Sequence, residues 1–338
     1  MVYLIAEVGS NHNGSYELAE KMLKSAVEAG VNAVKFQTFK AEKLISKNAP
    51  KAKYQIETTG NQDSQLEMTK KLELAPADYL KLVEVGEGLG VDVFSTPFDM
   101  DSLEFLIESG MRTFKIPSGE ITNLPYLERI GKVGGKVILS TGMANMEEID
   151  TAVGILRTHG TEDITILHAT TEYPTKYEDI NLNVIKTLEK NFPEFDIGFS
   201  DHSIGYEAAI AATALGAKII EKHFTIDYSL PGPDQKASAT PDVLAKLVDG
   251  VRVIEKELGS SEKQPVEVEK FNKIVARKSV VALTDIRKGE IFTESNITLK
   301  RPGNGISPMH WYDVLGTTAE FDFEADDLIR SSSFEWQE

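Results

Sequence analysis

The chain has no cysteine among its 338 residues. Disulfides and thiolate metal sites are therefore excluded, and the composition agrees with a cytoplasmic location. Long apolar runs are missing as well: none approaches the ~20 residues that a membrane helix needs. The opening stretch MVYLIAEVGSN lacks the basic segment of a secretory leader. Basic charge is in short supply, with 36 Lys and Arg against 53 Asp and Glu, a net charge of −17. Such a surface argues against nucleic acid or an anionic membrane as partner. It also means that an anionic substrate would need a local basic site. No repeat of solenoid period occurs. Histidine is scarce, with six in the chain.

What is present is a regular alternation. Short apolar, β-branched runs predict strands near 2–6, 32–36, 91–94, 113–116, 136–139, 164–168, 196–199 and 217–221. Helical periodicity fills the gaps. Over 240–258, Thr240 is placed to cap, Pro241 fits the first turn, and Val243, Leu244, Leu247, Val248, Val251, Ile254 and Leu258 share a face up to Gly259. Over 15–29, Leu18, Met22, Leu23, Ala26 and Val27 do the same before Gly30. Eight strand–helix units imply parallel strands with right-handed crossovers, and eight closes a (β/α)8 barrel. An open doubly wound sheet is the alternative, but GSNHNG after the first strand is not a glycine-rich phosphate turn. The 40–75 segment is long for a βα loop, as functional loops often are. After Gly259 the composition turns polar. The reading is a catalytic barrel over 1–259, a linker over 260–277, and a small domain of short strands over 278–338.

In such a barrel the chemistry lies at the C-terminal strand ends. Each predicted strand ends there in polar groups: Glu7, Asn11 and His12; Lys35 and Gln37; Ser95 and Thr96; Lys115, Ser118 and Glu120; Ser140 and Thr141; His168, Thr170, Thr171, Glu172 and Tyr173; Ser200, Asp201 and His202; Glu221, Lys222 and His223. Lys35 and Lys115 sit inside apolar runs and must reach either the mouth or a carboxylate. With Ser95, Ser118, Ser140 and Ser200 they form a candidate pocket for phosphate and carboxylate. Glu7 is the candidate general acid or base; otherwise it is simply the partner of a lysine. A lone histidine is more often a core side chain with a hydrogen-bond partner, but His202 and His223 end consecutive strands. Two imidazoles with oxygen donors suit Mn²⁺, with Mg²⁺ or Co²⁺ as other choices, better than zinc. His12, His159, His168 and His310 read as structural or solvated.

The stretches IAEVGSNHNGS, VKFQTFKAEKLIS, FSTPFD, KIPSGE, LSTGMA, LHATTEYPT, GFSDHS, EKHFT, GPD and KRPGNGISP run in order along the whole chain. This set resembles the bacterial sialic acid (N-acetylneuraminate) synthases, which join a (β/α)8 TIM barrel to a C-terminal antifreeze-like SAF domain of the β-clip type. The resemblance implies condensation of phosphoenolpyruvate with N-acetylmannosamine and water, giving N-acetylneuraminate and phosphate for surface polysaccharide. It implies phosphoenolpyruvate on Lys35, Gln37, Thr96, Lys115, Ser118, Glu120, Ser140 and Ser200, and a Mn²⁺-type ion on His202 and His223. It assigns acid–base work to Glu7 and sugar contacts to Thr171, Tyr173, Asp234 and Arg301. Some members carry asparagine where this chain has Thr171. It further implies a homodimer in which one subunit's SAF domain brings Arg301 to the other's barrel. Two other readings stand beside it. One is a relative making legionaminic or pseudaminic acid from a 6-deoxy diacetamido sugar. The other is a non-catalytic binding protein.

Overall fold

Strands buried on both faces need nearly continuous apolar runs, and the predicted runs all become strands. The structure, a computed structural model, describes residues 1–60 and 62–333; residues 334–338, expected to end the small domain, lie outside the described residues. The strands are β1 (Tyr3–Gly9), β2 (Ala33–Thr38), β3 (Asp92–Pro97), β4 (Thr113–Ile116), β5 (Lys136–Ser140), β6 (Ile164–Ala169), β7 (Asp196–Asp201) and β8 (Ile219–His223). They form one eight-stranded sheet in the order β3-β2-β1-β8-β7-β6-β5-β4. All its ladders are parallel, and β1 lies between β2 and β8, with Glu7 opposite both Lys35 and His223. Among the described residues no ladder joins β3 to β4, although the two strands lie against one another. The sheet is a TIM-type barrel.

Several strands outrun their predicted ends. β1 continues to Gly9, β7 to Asp201 and β8 to His223. The apolar run stops earlier because the terminal side chains are polar, yet Glu7, Asp201 and Lys222 are buried and their backbones stay in the ladders.

Helices cover the outer face. Pro241–Leu258 buries Leu244, Leu247, Val248 and Val251. Thr240 occupies its cap, but the hydroxyl donates to Asp242 rather than accepting a backbone N–H. Tyr16–Glu28 is capped by Ser15, whose Oγ accepts from the Leu18 N–H; it buries Ala19 with Met22, Leu23 and Ala26, leaving Leu18 and Val27 half-buried. The last barrel helix clasps the first strand: Arg252 Nη1 donates to the Val2 carbonyl at 2.9 Å, and the Val2 N–H donates to Glu255. The long segment after β2 holds three short helices, Ala41–Leu44, Lys53–Thr59 and Gln65–Lys70.

Met1–Gly259 and the residues from Ser260 onward are separate compact units. The second contains the helix Glu269–Ala276, within the stretch expected to be a linker, and the antiparallel pair β9 (Ser279–Ala282) and β10 (Ile297–Lys300). The helix has a mechanism: Phe271, Ile274 and Val275 recur at helical spacing among charged residues. The unit's small core includes Val280, Ile286, Phe292, Ile297 and Phe323. Among the described residues no helix is long and apolar enough to cross a membrane.

Candidate active site at the barrel mouth

A cavity of about 320 Å³ opens at the C-terminal ends of the strands, a size in the range of small-molecule sites. Strand alternation sends every second side chain inward. Glu7, Lys35, Lys115 and Glu221 meet there from β1, β2, β4 and β8, each no more than 3% exposed. Lys35 Nζ lies 2.8 Å from Glu7 Oε2 and 3.4 Å from Glu221 Oε2, and Lys115 Nζ lies 3.3 Å from Glu221 Oε1. Lys35 also donates to Thr96 Oγ1 (2.9 Å), Gln37 Nε2 to Glu7 Oε1 (2.8 Å), and Ser200 Oγ to Glu221 Oε1 (2.8 Å). Ser140 Oγ is buried without a hydrogen-bond partner.

These charges set one another's protonation. Burial raises the Glu7 carboxyl, Glu221 adds to the rise, and Lys35 opposes it. Burial also opposes charge on Glu221, but Lys115 and Lys35 prevail and hold it below the usual range. Burial, helped by Lys35, lowers the Lys115 ammonium, whereas the two carboxylates outweigh burial and raise Lys35. The floor is thus a compact set of two lysines and two glutamates, one of which, Glu7, holds its proton more tightly than an ordinary carboxyl.

His202 and His223 project beside it, their ring centroids 5.4 Å apart. His202 Nδ1 lies 2.7 Å from the Thr170 carbonyl, which directs the other ring nitrogen away from that carbonyl. His223 Nδ1 is buried without a hydrogen-bond partner. Burial lowers both imidazoles, His202 to about 4. Above that range they are neutral, as metal ligands must be. Among the described residues no group of three or more His, Asp or Glu side chains is arranged to hold a metal. The donor set fits a borderline cation completed by water or substrate oxygen. Tyr173 packs on His202 with centroids 4.2 Å apart, and Tyr54 packs on Tyr173 at 5.2 Å. Asp234 Oδ1 has no hydrogen-bond partner, and burial together with Glu7 raises this carboxyl to about 7.

Of the residues predicted from sequence, Glu7, Lys35, Gln37, Thr96, Lys115, Ser118, Ser140, Thr171, Tyr173, Ser200, His202, His223 and Asp234 all line this cavity. Ser118 and Thr171 come together over Gly142. Ser118 Oγ accepts from the Gly142 N–H (2.9 Å), and a Cβ at Gly142 would meet Thr171 Oγ1 at 2.2 Å. Glu120 is not among the lining residues. It ends the single turn Ser118–Glu120, two-thirds of a turn beyond Ser118, and its carboxylate accepts from Asn123 (2.5 Å). Arg301 belongs to the second unit, where its Nε donates to the Ala276 carbonyl at 2.9 Å. His159 and His168 take backbone partners, as expected of structural histidines.

Two features were given no role in the predicted site. Glu221 lies two residues before His223 and so shares its face, a signal that period-2 alternation contained. The second is an apolar wall from the segment after β2, made by Leu44, Ile45, Tyr54, Met68 and Leu72. Its residues are spread over 29 positions in three short helices and their connections, and no local spacing announces that they converge.

The NeuB family profile matches residues 22–263, and the SAF domain profile matches residues 277–335. Among curated proteins, an N,N'-diacetyllegionaminic acid synthase of Campylobacter jejuni is 47% identical, over 97% of this chain and 98% of its own length. A protein of the same name from Legionella pneumophila is 39% identical, over 96% of this chain and 92% of its own. Among solved structures, an N-acetylneuraminic acid synthetase of Leptospira borgpetersenii, in complex with citrate, superposes with a TM-score of 0.72 at 38% identity, covering 80% of this chain and 90% of that one.

Proposed function

This chain belongs to the NeuB family, and from that premise we propose that it condenses phosphoenolpyruvate with a 6-deoxy sugar bearing two acetamido groups, forming a nonulosonic acid of the N,N'-diacetyllegionaminic type. Membership makes it a phosphoenolpyruvate-dependent, carbon–carbon bond-forming synthase of nonulosonic acids. The choice of acceptor is carried by the 47% identity to the Campylobacter jejuni synthase over nearly all of both chains. N-acetylmannosamine, the acceptor first implied by the resemblance, takes second place for that reason. The likeness to the Leptospira borgpetersenii synthetase keeps it as the alternative. The apolar wall supports the same choice. A methyl in place of a hydroxymethyl, and the methyl of a second acetamido group, can be buried against Leu44, Ile45, Met68 and Leu72 without stranding a hydroxyl.

Lys35 and Lys115, with Ser118, Ser140 and Ser200, hold the carboxylate and phosphate of phosphoenolpyruvate, the two ammonium groups supplying local cations within an acidic protein. The enol carbon attacks the aldehyde carbon of the open-chain sugar, and the aldehyde oxygen takes up a proton. Water adds to the resulting oxocarbenium carbon and gives up a proton. The tetrahedral adduct then expels inorganic phosphate, leaving the ketone of the product. Glu7, whose proton affinity is raised by burial, moves protons between water and the new hydroxyl. Tyr173 and Asp234 orient the sugar. His202 and His223 would hold the divalent cation, which when bound polarises a carbonyl oxygen. The homodimer and the role of Arg301 toward a partner's substrate belong to the same proposal.

The test is a product assay by mass spectrometry with phosphoenolpyruvate, Mn²⁺ and each sugar in turn. The expected result is release of phosphate and a nonulosonic acid with the diacetamido 6-deoxy sugar at a higher kcat/KM than with N-acetylmannosamine. The reverse preference would assign the chain to the alternative.

A further inference from the structure

The reaction assigned above makes no use of two fully buried charges, Asp201 and Lys222. They are 0% and 1% exposed, and they stand opposite one another in the β7–β8 ladder. Alternation places them on the far side of the sheet from the cavity. Three levels succeed one another along the two strands. At the first, Ser200 meets Glu221 on the inner face (2.8 Å). At the second, Lys222 Nζ meets Asp201 Oδ2 on the outer face (2.9 Å). At the third, His202 and His223 face each other on the inner side.

The outer pair also grips the chain beyond His202. Asp201 Oδ1 accepts from both the N–H (2.9 Å) and the Oγ (2.6 Å) of Ser203, so one carboxylate spans the histidine. The Lys222 ammonium donates to the Ser203 carbonyl. On the other side, the Thr175 N–H donates to the His202 carbonyl (2.9 Å). Each partner of the ion pair is the residue immediately before one of the two histidines. A buried ion pair is poor at adding stability, since burying both charges costs about what their attraction returns, and an apolar pair often does as well. An apolar pair could not, however, hold Ser203 by three hydrogen bonds.

We propose that Asp201 and Lys222 are positioning residues: a brace behind the sheet that fixes the spacing and direction of the His202 and His223 imidazoles. The inference rests on the reading of those histidines as a cation site. Groups that hydrogen-bond a metal ligand directly commonly change metal affinity by about 10- to 100-fold when removed, and this pair acts through the backbone one residue from each ligand.

The test is Mn²⁺ binding to the full-length, chelator-stripped protein, followed by electron paramagnetic resonance of the free ion, alongside thermal unfolding without metal. The Asp201→Leu/Lys222→Met double variant removes both charges together. It gives up the three hydrogen bonds to Ser203, so it should unfold below the wild type, yet while folded it should bind Mn²⁺ about 10-fold or more weakly. Ser203→Ala, which deletes one hydroxyl, should weaken binding by a smaller factor and decides the matter if the double variant does not fold. Wild-type affinity in these folded variants would overturn the brace while leaving the cation site standing. A wild-type protein that binds no Mn²⁺ would overturn the cation site and the brace with it.

Discussion

The floor and the wall of the cavity are built differently. Glu7, Lys35, Lys115 and Glu221 stand on four strands of one sheet, each locked by ladder bonds to its neighbours. Leu44, Ile45, Tyr54, Met68 and Leu72 stand on helices of four to seven residues and the turns between them. Helices so short do not hold by themselves and depend on packing. The floor has every charged group within reach of an opposite charge, so a shift of an ångström changes several interactions at once. The wall is a surface of shape, which tolerates exchange of one apolar side chain for another. In the proposed reaction the floor therefore carries the bond making, and the wall carries the choice of acceptor.

That division can be broken in a graded way. The largest effect is expected at the two histidines. His202→Ala and His223→Ala should each fold and lose metal-dependent turnover. Exhaustive chelation of the wild type should reproduce the loss, and Mn²⁺ should reverse it only in the wild type. Full activity after chelation would remove the cation from the floor. Next comes Glu7→Gln, which keeps shape and hydrogen-bonding reach but cannot exchange a proton. Its kcat should fall by about 10²-fold or more, while phosphoenolpyruvate binding, measured by calorimetry, survives. A near-normal kcat would leave Glu7 as only the ion-pair partner of Lys35. The smallest effect is expected on the wall. Met68→Asn places an amide against the apolar surface and should lower the ratio of kcat/KM values, diacetamido sugar over N-acetylmannosamine, by about 10-fold. The KM for phosphoenolpyruvate should stay unchanged. Equal losses with both sugars would show that the wall supports the site without choosing its substrate.

The same contrast decides what could be read in advance. The floor was legible because strand chemistry is local: Lys35 and Lys115 interrupt apolar runs, and such lysines have few places to go. Where the reading fell short, one-dimensional spacing was the cause. Glu221 was named only as a polar strand end and given no role beside the more conspicuous His223, although period 2 pairs them. Glu120 was carried in with its motif, but a tight turn directs it to Asn123. The length of the 40–75 segment marked it as a functional loop, but its convergence on the cavity could not be read, because Tyr54 meets Tyr173 across 119 positions of sequence, a contact that only the closed barrel creates. The helix Glu269–Ala276 lay within a stretch whose charged composition masked its short apolar stripe.

The clasp between the first strand and the last barrel helix has a consequence for biosynthesis. β1 is translated before its partner β8, which begins 216 residues later, with Ile219 opposite Tyr3. At ribosomal speeds of about 5–20 residues per second, that is a wait of roughly ten to forty seconds. Arg252 and Glu255, which hold Val2, arrive later still. Throughout that interval one edge of β1 has no native neighbour, and an unpaired edge invites pairing with other nascent chains. The strand that bears Glu7 is thus made well before its partner and is among the last secured, and it is there that a chaperone would have most to protect.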